Sequence, residues 1–250
     1  MIGLGKTDQG SARANNEDSL LVCNESIGAL SNLYIVSDGM GGHNAGEIAS
    51  NKAIEFFVQH IREHIPDQDE QADIPTLMAD AVHFANLQVY KISQQDTNLS
   101  GMGATFTAAS FSHDKLHIAH LGDSRAYLVH QGEIRQVSID HTYVNDLVRA
   151  EIINNEQAKT HHLRNVITRA LGSEAFCEVD TYTLDKQDGH KLLLCSDGLT
   201  TMLEDDQILE IVSTTPNIEE ATTKLVDLAN HHGGLDNISV IIVEQEGAQA

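Results

Sequence analysis

Apolar residues recur at helical spacing in three stretches of the chain. Ile74, Leu77, Met78, Ala81, Val82, Ala85, Val89 and Ile92 share one face, which predicts an amphipathic helix. Ile48, Ala49, Ile54, Phe57 and Ile61 repeat the pattern within 45–65, and Ile218, Ala221, Leu225, Leu228 and Ala229 mark a third helix that stops at Gly233 and Gly234. Elsewhere the apolar runs are short, often β-branched and bounded by turn residues. They predict strands over 19–23, 33–36, 104–111, 116–121, 125–129, 178–184, 191–195 and 238–243. His113-Asp114 and Gln131-Gly132 read as hairpin turns. Strands in succession, with helices set apart from them, predict an α+β protein built of antiparallel sheets rather than alternating βαβ units. Two stacked sheets covered by helices satisfy that order. No fixed period recurs, which disfavours a propeller or solenoid.

Composition narrows the picture. The 250 residues include three prolines and no Gly-, Ser- or Pro-rich linker, so 1–250 is read as a single domain. Thirty-seven acidic against fifteen basic side chains give a net charge of -22, a field that repels nucleic acid and anionic lipid. The three cysteines, Cys23, Cys177 and Cys195, are odd in number and widely spaced, which makes neither a disulfide framework nor a metal knuckle. Met1 to Gln9 lack the features of a signal peptide and no apolar run reaches membrane-spanning length, so no membrane association and a cytoplasmic location are expected. No heptad run is visible, and a monomer is the expectation.

The chemistry lies at the strand ends. Leu33 to Val36 feeds into Ser37-Asp38-Gly39, and Leu192 to Cys195 feeds into Ser196-Asp197-Gly198. The strand ending at Leu121 runs into Gly122-Asp123-Ser124, and Asp236-Asn237 opens the last strand. Taken singly, an Asp-Gly after a strand is a turn. Four together, if the strands share a sandwich, converge at one rim, where carboxylates repel unless cations neutralise them. Oxygen-only ligands, with the carbonyl of Gly39 among them, point to Mg²⁺ or Mn²⁺, allow Ca²⁺ and disfavour Zn²⁺. Arg13, followed by Glu17 and Asp18, supplies a guanidinium able to hold a phosphate by two hydrogen bonds.

These motifs, in order, are Asp8-x-Gly10-x-x-Arg13-x-x-Asn16-Glu17-Asp18, Val36 to Glu47, Ser100 to Thr105, Leu121 to Arg125, Asp140-His141-Thr142, Asn165 to Gly172, Cys195 to Leu199 and Gly234-x-Asp236-Asn237. Across nearly its whole length the chain resembles a PP2C-type (PPM family) serine/threonine phosphatase of the compact bacterial kind. The resemblance implies a four-layer αββα sandwich, two antiparallel sheets flanked by helix pairs, with a flap near 143–164. It implies two core Mn²⁺ or Mg²⁺ ions, with Asp38 bridging, Gly39 offering its carbonyl, and Asp197 and Asp236 completing the second. Asp123, together with Asp197, would hold a third ion, and Glu17 and Asp18 would act through metal-bound waters. Arg13 would clamp the phosphate, and His43 falls near the histidine proposed as general acid. The reaction implied is in-line attack by a hydroxide held between two metals, with phosphorylated proteins as substrates and a Ser/Thr kinase as the opposing enzyme. His141 reads as a structural hydrogen-bonding residue. Glu151 departs from the family pattern, standing where bacterial relatives commonly carry glycine. Two rivals are an inactive regulatory module of the same fold, which typically loses metal aspartates, and a phosphatase of small metabolites, which a substrate panel would separate.

Overall fold

The computed structural model describes residues 1–42, 45–64 and 73–245. One sheet runs in the order β1 (Ile2–Asp8), β11 (Ile238–Glu244), β10 (Lys191–Cys195), β7 (Arg125–His130) and β8 (Glu133–Gln136). The other runs β2 (Asp18–Cys23), β3 (Leu33–Met40), β5 (Phe106–Phe111), β6 (Lys115–Leu121) and β9 (Asp180–Asp185), with the two-residue β4 (Gly103–Ala104) pairing with the end of β3. Every pairing is antiparallel. The helices α1 (Ala45–Glu63) and α2 (Ile74–Gln95) cover the second sheet, while α6 (Asp205–Thr214) and α7 (Ile218–His231) cover the first. This is the expected α+β four-layer sandwich.

Alternation within each strand builds three apolar layers. Tyr34, Val36, Phe111 and Ile118 meet Leu128, Leu192, Leu194 and Ile241 between the sheets. Leu33, Ile35, Phe106 and Ala108 face outward onto α1 and α2, and Tyr127, Leu193, Val240 and Ile242 onto α6 and α7. Because both faces of the central strands are covered, they read as continuous apolar runs, and each large side chain so buried contributes about 1.5–3 kcal/mol.

Among the elements that escape the sequence reading, β1 and α6 are the most instructive. β1 carries Gly3 and Gly5, poor strand formers; a Cβ on Gly3 would lie 2.3 Å from the Tyr34 ring, so the facing sheet fills the space these residues leave. In α6, Ile208, Leu209, Ile211 and Val212 crowd into five positions without a clean stripe. A capping box between Glu204 and Gln207 and packing against α7 make it helical.

Candidate active site

Strand register decides where the carboxylates go. Asp18 opens β2 directly opposite Asp38 in β3. Phe106 pairs with Leu121, so the turn Gly122-Asp123-Ser124 emerges at the same end, beside Thr105. Cys195 pairs with both Arg125 and Val240, which carries Asp197, the first residue of the short helix α5 (Asp197–Thr200), and Asp236 to the matching rim of the other sheet. Asp18, Asp38, Asp123, Asp197 and Asp236 therefore gather at one edge of the sandwich. Gly39 lies beside them in β3. His43 falls outside the described residues.

A layer of small polar groups holds this rim. The Asp38 N–H donates to Thr105 Oγ1 at 2.9 Å, and Thr105 Oγ1 lies 2.7 Å from Ser124 Oγ. Ser196 Oγ donates to Asp18 Oδ2 at 2.8 Å while accepting the Ser239 N–H at 2.9 Å. Asn237 ties the arginine loop to the rim: its Oδ1 accepts the Glu17 N–H, and its Nδ2 donates to the carbonyls of Gln9 and Asn15, all at 2.8 Å. Arg13 is half exposed and its Nη2 donates to Asp236 Oδ2 at 2.6 Å. Thr105 and Ser239 received no role from the sequence. The motif Gly103-Ala104-Thr105 marked the first of them; Ser239 sits inside an apolar strand and left no signal.

The electrostatics are those of negative charge gathered out of water. Burial, reinforced by Asp18, Asp197 and Asp123, pushes Asp38 well above the ordinary carboxylate range. Burial raises Asp18 to about 7, partly offset by hydrogen bonds from Ser239 and Ser196. Asp123 rises to about 8 through burial and then Asp197, and Asp197 rises to about 6 through burial and then Asp236, restrained by a hydrogen bond with Asp38. Like charges opposed across a strand pair are destabilising unless something cationic sits between them.

The residues fit divalent cations. Asp18 Oδ1, Asp123 Oδ1 and Asp197 Oδ1 are buried carboxylate oxygens without a hydrogen-bond partner, the condition a metal relieves. Among the described residues no group of three or more histidine, cysteine, aspartate or glutamate side chains stands ready to hold a metal ion by itself, so an ion here takes fewer protein ligands and completes its shell with water. An open arrangement suits Mg²⁺ or Mn²⁺, hard ions of which Mg²⁺ typically keeps several waters and takes one or two carboxylates.

The segment beyond β8 rises from the same rim. The His141 N–H donates to the Gly122 carbonyl at 2.8 Å, and His141 Nδ1 accepts the Gly122 N–H at 3.1 Å, so this histidine braces the turn that carries Asp123. Thr142 caps α3 (Tyr143–Arg149), which is followed by α4 (Asn155–Lys159). Arg125 grips Asp140 through Nε and Nη2 at 2.7–3.0 Å, anchoring the base of this segment to β7. Glu151 adopts φ 57, a left-handed conformation that costs an ordinary residue about 1 kcal/mol relative to glycine.

Comparison with known proteins supplies the context. A family model described as protein phosphatase 2C matches residues 7–230. The chain is 36% identical over 244 residues to the serine/threonine phosphatase stp of Listeria monocytogenes, covering 98% of this chain and 96% of that one. The structure of the S. agalactiae serine/threonine phosphatase superposes with a TM-score of 0.89 at 35% identity, covering 98% of this chain and 99% of that one. The catalytic domain of the serine/threonine protein phosphatase PstP, solved in complex with two manganese ions, superposes with a TM-score of 0.81 at 34% identity, covering 96% of each.

Proposed function

The chain belongs to the protein phosphatase 2C family, and from that premise we propose that it hydrolyses phosphoserine and phosphothreonine in proteins with divalent cations held at the aspartate rim. One observation carries the reading: buried, unpartnered carboxylate oxygens on Asp18, Asp123 and Asp197, gathered at the edge where Arg13 reaches Asp236. Asp38, Asp197 and Asp236, with the Gly39 carbonyl, would hold two core Mn²⁺ or Mg²⁺ ions, Asp18 would support them, and Asp123 with Asp197 would hold a third. A relative solved with two manganese ions supports the core pair. Bound there, the cations would activate water and neutralise charge on the phosphoryl group.

The chain's own groups do the rest. Arg13 has an exposed flank, and its planar guanidinium swings from Asp236 to grip two phosphoryl oxygens. Asn237 holds the loop on which it turns. His43 donates a proton to the departing serine or threonine oxygen. Cys195 takes no part, because burial pushes its thiol up to about 12 and leaves no thiolate to attack phosphorus. The product is inorganic phosphate without a phosphoenzyme. The same reading sets a Ser/Thr kinase as the opposing enzyme, a monomer as the working form and the cytoplasm as the compartment; among the described residues no helix is long and apolar enough to cross a membrane. The region 1–250 acts as one phosphatase domain.

Phosphate release from a phosphothreonine peptide, followed while Mn²⁺ and Mg²⁺ are titrated, tests the proposal. Asp38→Ala and Asp236→Ala are expected to lower cation-dependent turnover by about 10²–10³-fold or more. A folded, cation-loaded wild type that releases no phosphate would leave a regulatory module of the same fold as the surviving reading.

A further inference from the structure

The backbone is most informative where α3 ends. The Ile152 N–H donates to the Leu147 carbonyl and the Glu151 N–H to the Val148 carbonyl, both at 2.9 Å, which is the hydrogen-bond pattern of a Schellman helix end. The position after the C-cap in that motif is left-handed and is ordinarily glycine. Here it is Glu151, at φ 57. Among the described residues the other non-glycine with positive φ is Gln131, which sits in a tight hairpin beside Gly132. Glu151 closes no hairpin, so a strained position keeps a charged side chain that the turn itself does not need.

That residue lines a shallow surface depression of about 510 Å³, open to solvent, together with Val148, Ile152, Ile153, Asn154, Asn155 and Gln157. Ile152 is 66% exposed. Asn154 Oδ1 and Gln157 Oε1 are already committed to the capping box of α4, at 2.9 Å each. Lys159 pairs with Glu156, and among the described residues no cation lies within ion-pair distance of the Glu151 carboxylate. The depression thus offers an apolar wall edged by one uncommitted negative charge. That combination suits a side chain with a long aliphatic stem and a cationic head, which is to say lysine or arginine. The net charge of -22 favours the approach of a basic segment over an acidic one.

The position of the depression sets the spacing. α3 starts next to His141, which is bonded to the turn carrying Asp123, and its seven residues rise about 10 Å before Glu151. An extended peptide covers about 3.3 Å per residue, so three or four residues of a substrate span a length equal to that of α3. We propose that Glu151 is a specificity-determining residue, and that the depression it lines receives a lysine or arginine about three or four residues from the phosphoserine or phosphothreonine of the substrate. The inference rests on the phosphatase reading.

The test compares kcat/KM for two phosphothreonine peptides that differ only in carrying arginine or glutamate at the third and fourth flanking positions. The ratio of the two values removes any general effect of a variant on turnover. For an exposed ion pair the wild type is expected to favour the arginine peptide by about three- to fivefold, through KM, with the preference shrinking as salt is added. Glu151→Gln, which keeps the strain and removes the charge, brings the ratio close to one, and Glu151→Lys inverts it. A preference that survives in both variants, or is absent from the wild type, overturns the proposal. p-Nitrophenyl phosphate, which has no flanking residues, separates the two levels: wild type that cleaves it without peptide discrimination defeats the Glu151 inference alone. Wild type that cleaves neither it nor the peptides defeats the phosphatase reading and the inference with it.

Discussion

The tripeptide Ser-Asp-Gly occurs twice at this rim and takes two different conformations. In 37–39 it continues β3, because β2 offers Asp18 opposite Asp38 and β4 offers Ala104 opposite Gly39. In 196–198 it leaves the sheet: β7 begins at Arg125, opposite Cys195, so beyond that point Ser196 keeps a bond from its N–H to the Ser239 carbonyl on β11, and Asp197 starts α5. The aspartate reaches the same rim by either route. What the two copies share is the glycine. A Cβ on Gly39 would lie 2.1 Å from the Gly46 carbonyl oxygen, and one on Gly198 would lie 2.0 Å from that of Asn237. Local conformation is thus negotiable here, and the close backbone approach behind each aspartate is not.

The largest effects are expected at those glycines. Gly39→Ala and Gly198→Ala are each expected to cost about 2–4 kcal/mol in urea unfolding, because the blocking atoms are backbone and cannot give way. Gly198 lies in a helix, where alanine ordinarily gains about 1 kcal/mol over glycine. A stabilised Gly198→Ala would show that helix propensity rather than close approach governs the second copy.

A smaller effect is expected from pH in cation-free protein. Unfolded carboxylates titrate near about 4, whereas burial holds Asp197 to about 6, Asp18 to about 7 and Asp123 to about 8, with Asp38 also well raised. The folded state therefore retains protons that the unfolded chain has lost. This stability is fully present below the unfolded value and is lost as pH rises through the folded ones. The Tm of protein stripped with a chelator is expected to fall by about 4 °C or more between about pH 5 and pH 8, and Mn²⁺ at the upper pH to restore it. Asp38→Asn removes a charge that presses on its neighbours and flattens the curve. A Tm that rises over this range would refute the account.

The two serines carry the smallest expected difference. Ser196→Ala leaves Asp18 Oδ2 and the Ser239 N–H without their partner, whereas Ser37→Ala removes one bond, from Ser37 Oγ to the Thr105 carbonyl at 2.7 Å. Chemical denaturation is expected to show the first costing about 1 kcal/mol more than the second.

Much of this site was legible in one dimension. Apolar runs that stop before Asp38, Asp123 and Asp197 mark the edge of the buried layer, because a strand buried on both faces cannot carry a carboxylate until it reaches that edge; β3 itself continues past Asp38 to Met40. The turn at Gln131-Gly132 was legible for a similar reason, since left-handed backbone there needs residues that tolerate it. β1 was not legible, because what stabilises Gly3 and Gly5 is the Tyr34 ring and the side chains of Leu20 and Val22 on the other sheet. Nor was the role of Ser239, a polar group within an apolar strand whose partners, Ser196 and Thr7, come from far along the chain.

By itself the sequence determined the layers, the aspartates at the strand ends, the arginine ahead of β2 and the glycines behind Asp38 and Asp197. These follow from local chemistry: side-chain period, turn residues and the solvation of charge. The tertiary structure alone decided that the strand ends meet at one rim, that the second Ser-Asp-Gly begins a helix, and that Glu151 sits in a left-handed turn over a shallow depression. Each of those depends on which segment happens to lie opposite, and register between distant strands is set by packing that no short stretch of chain contains.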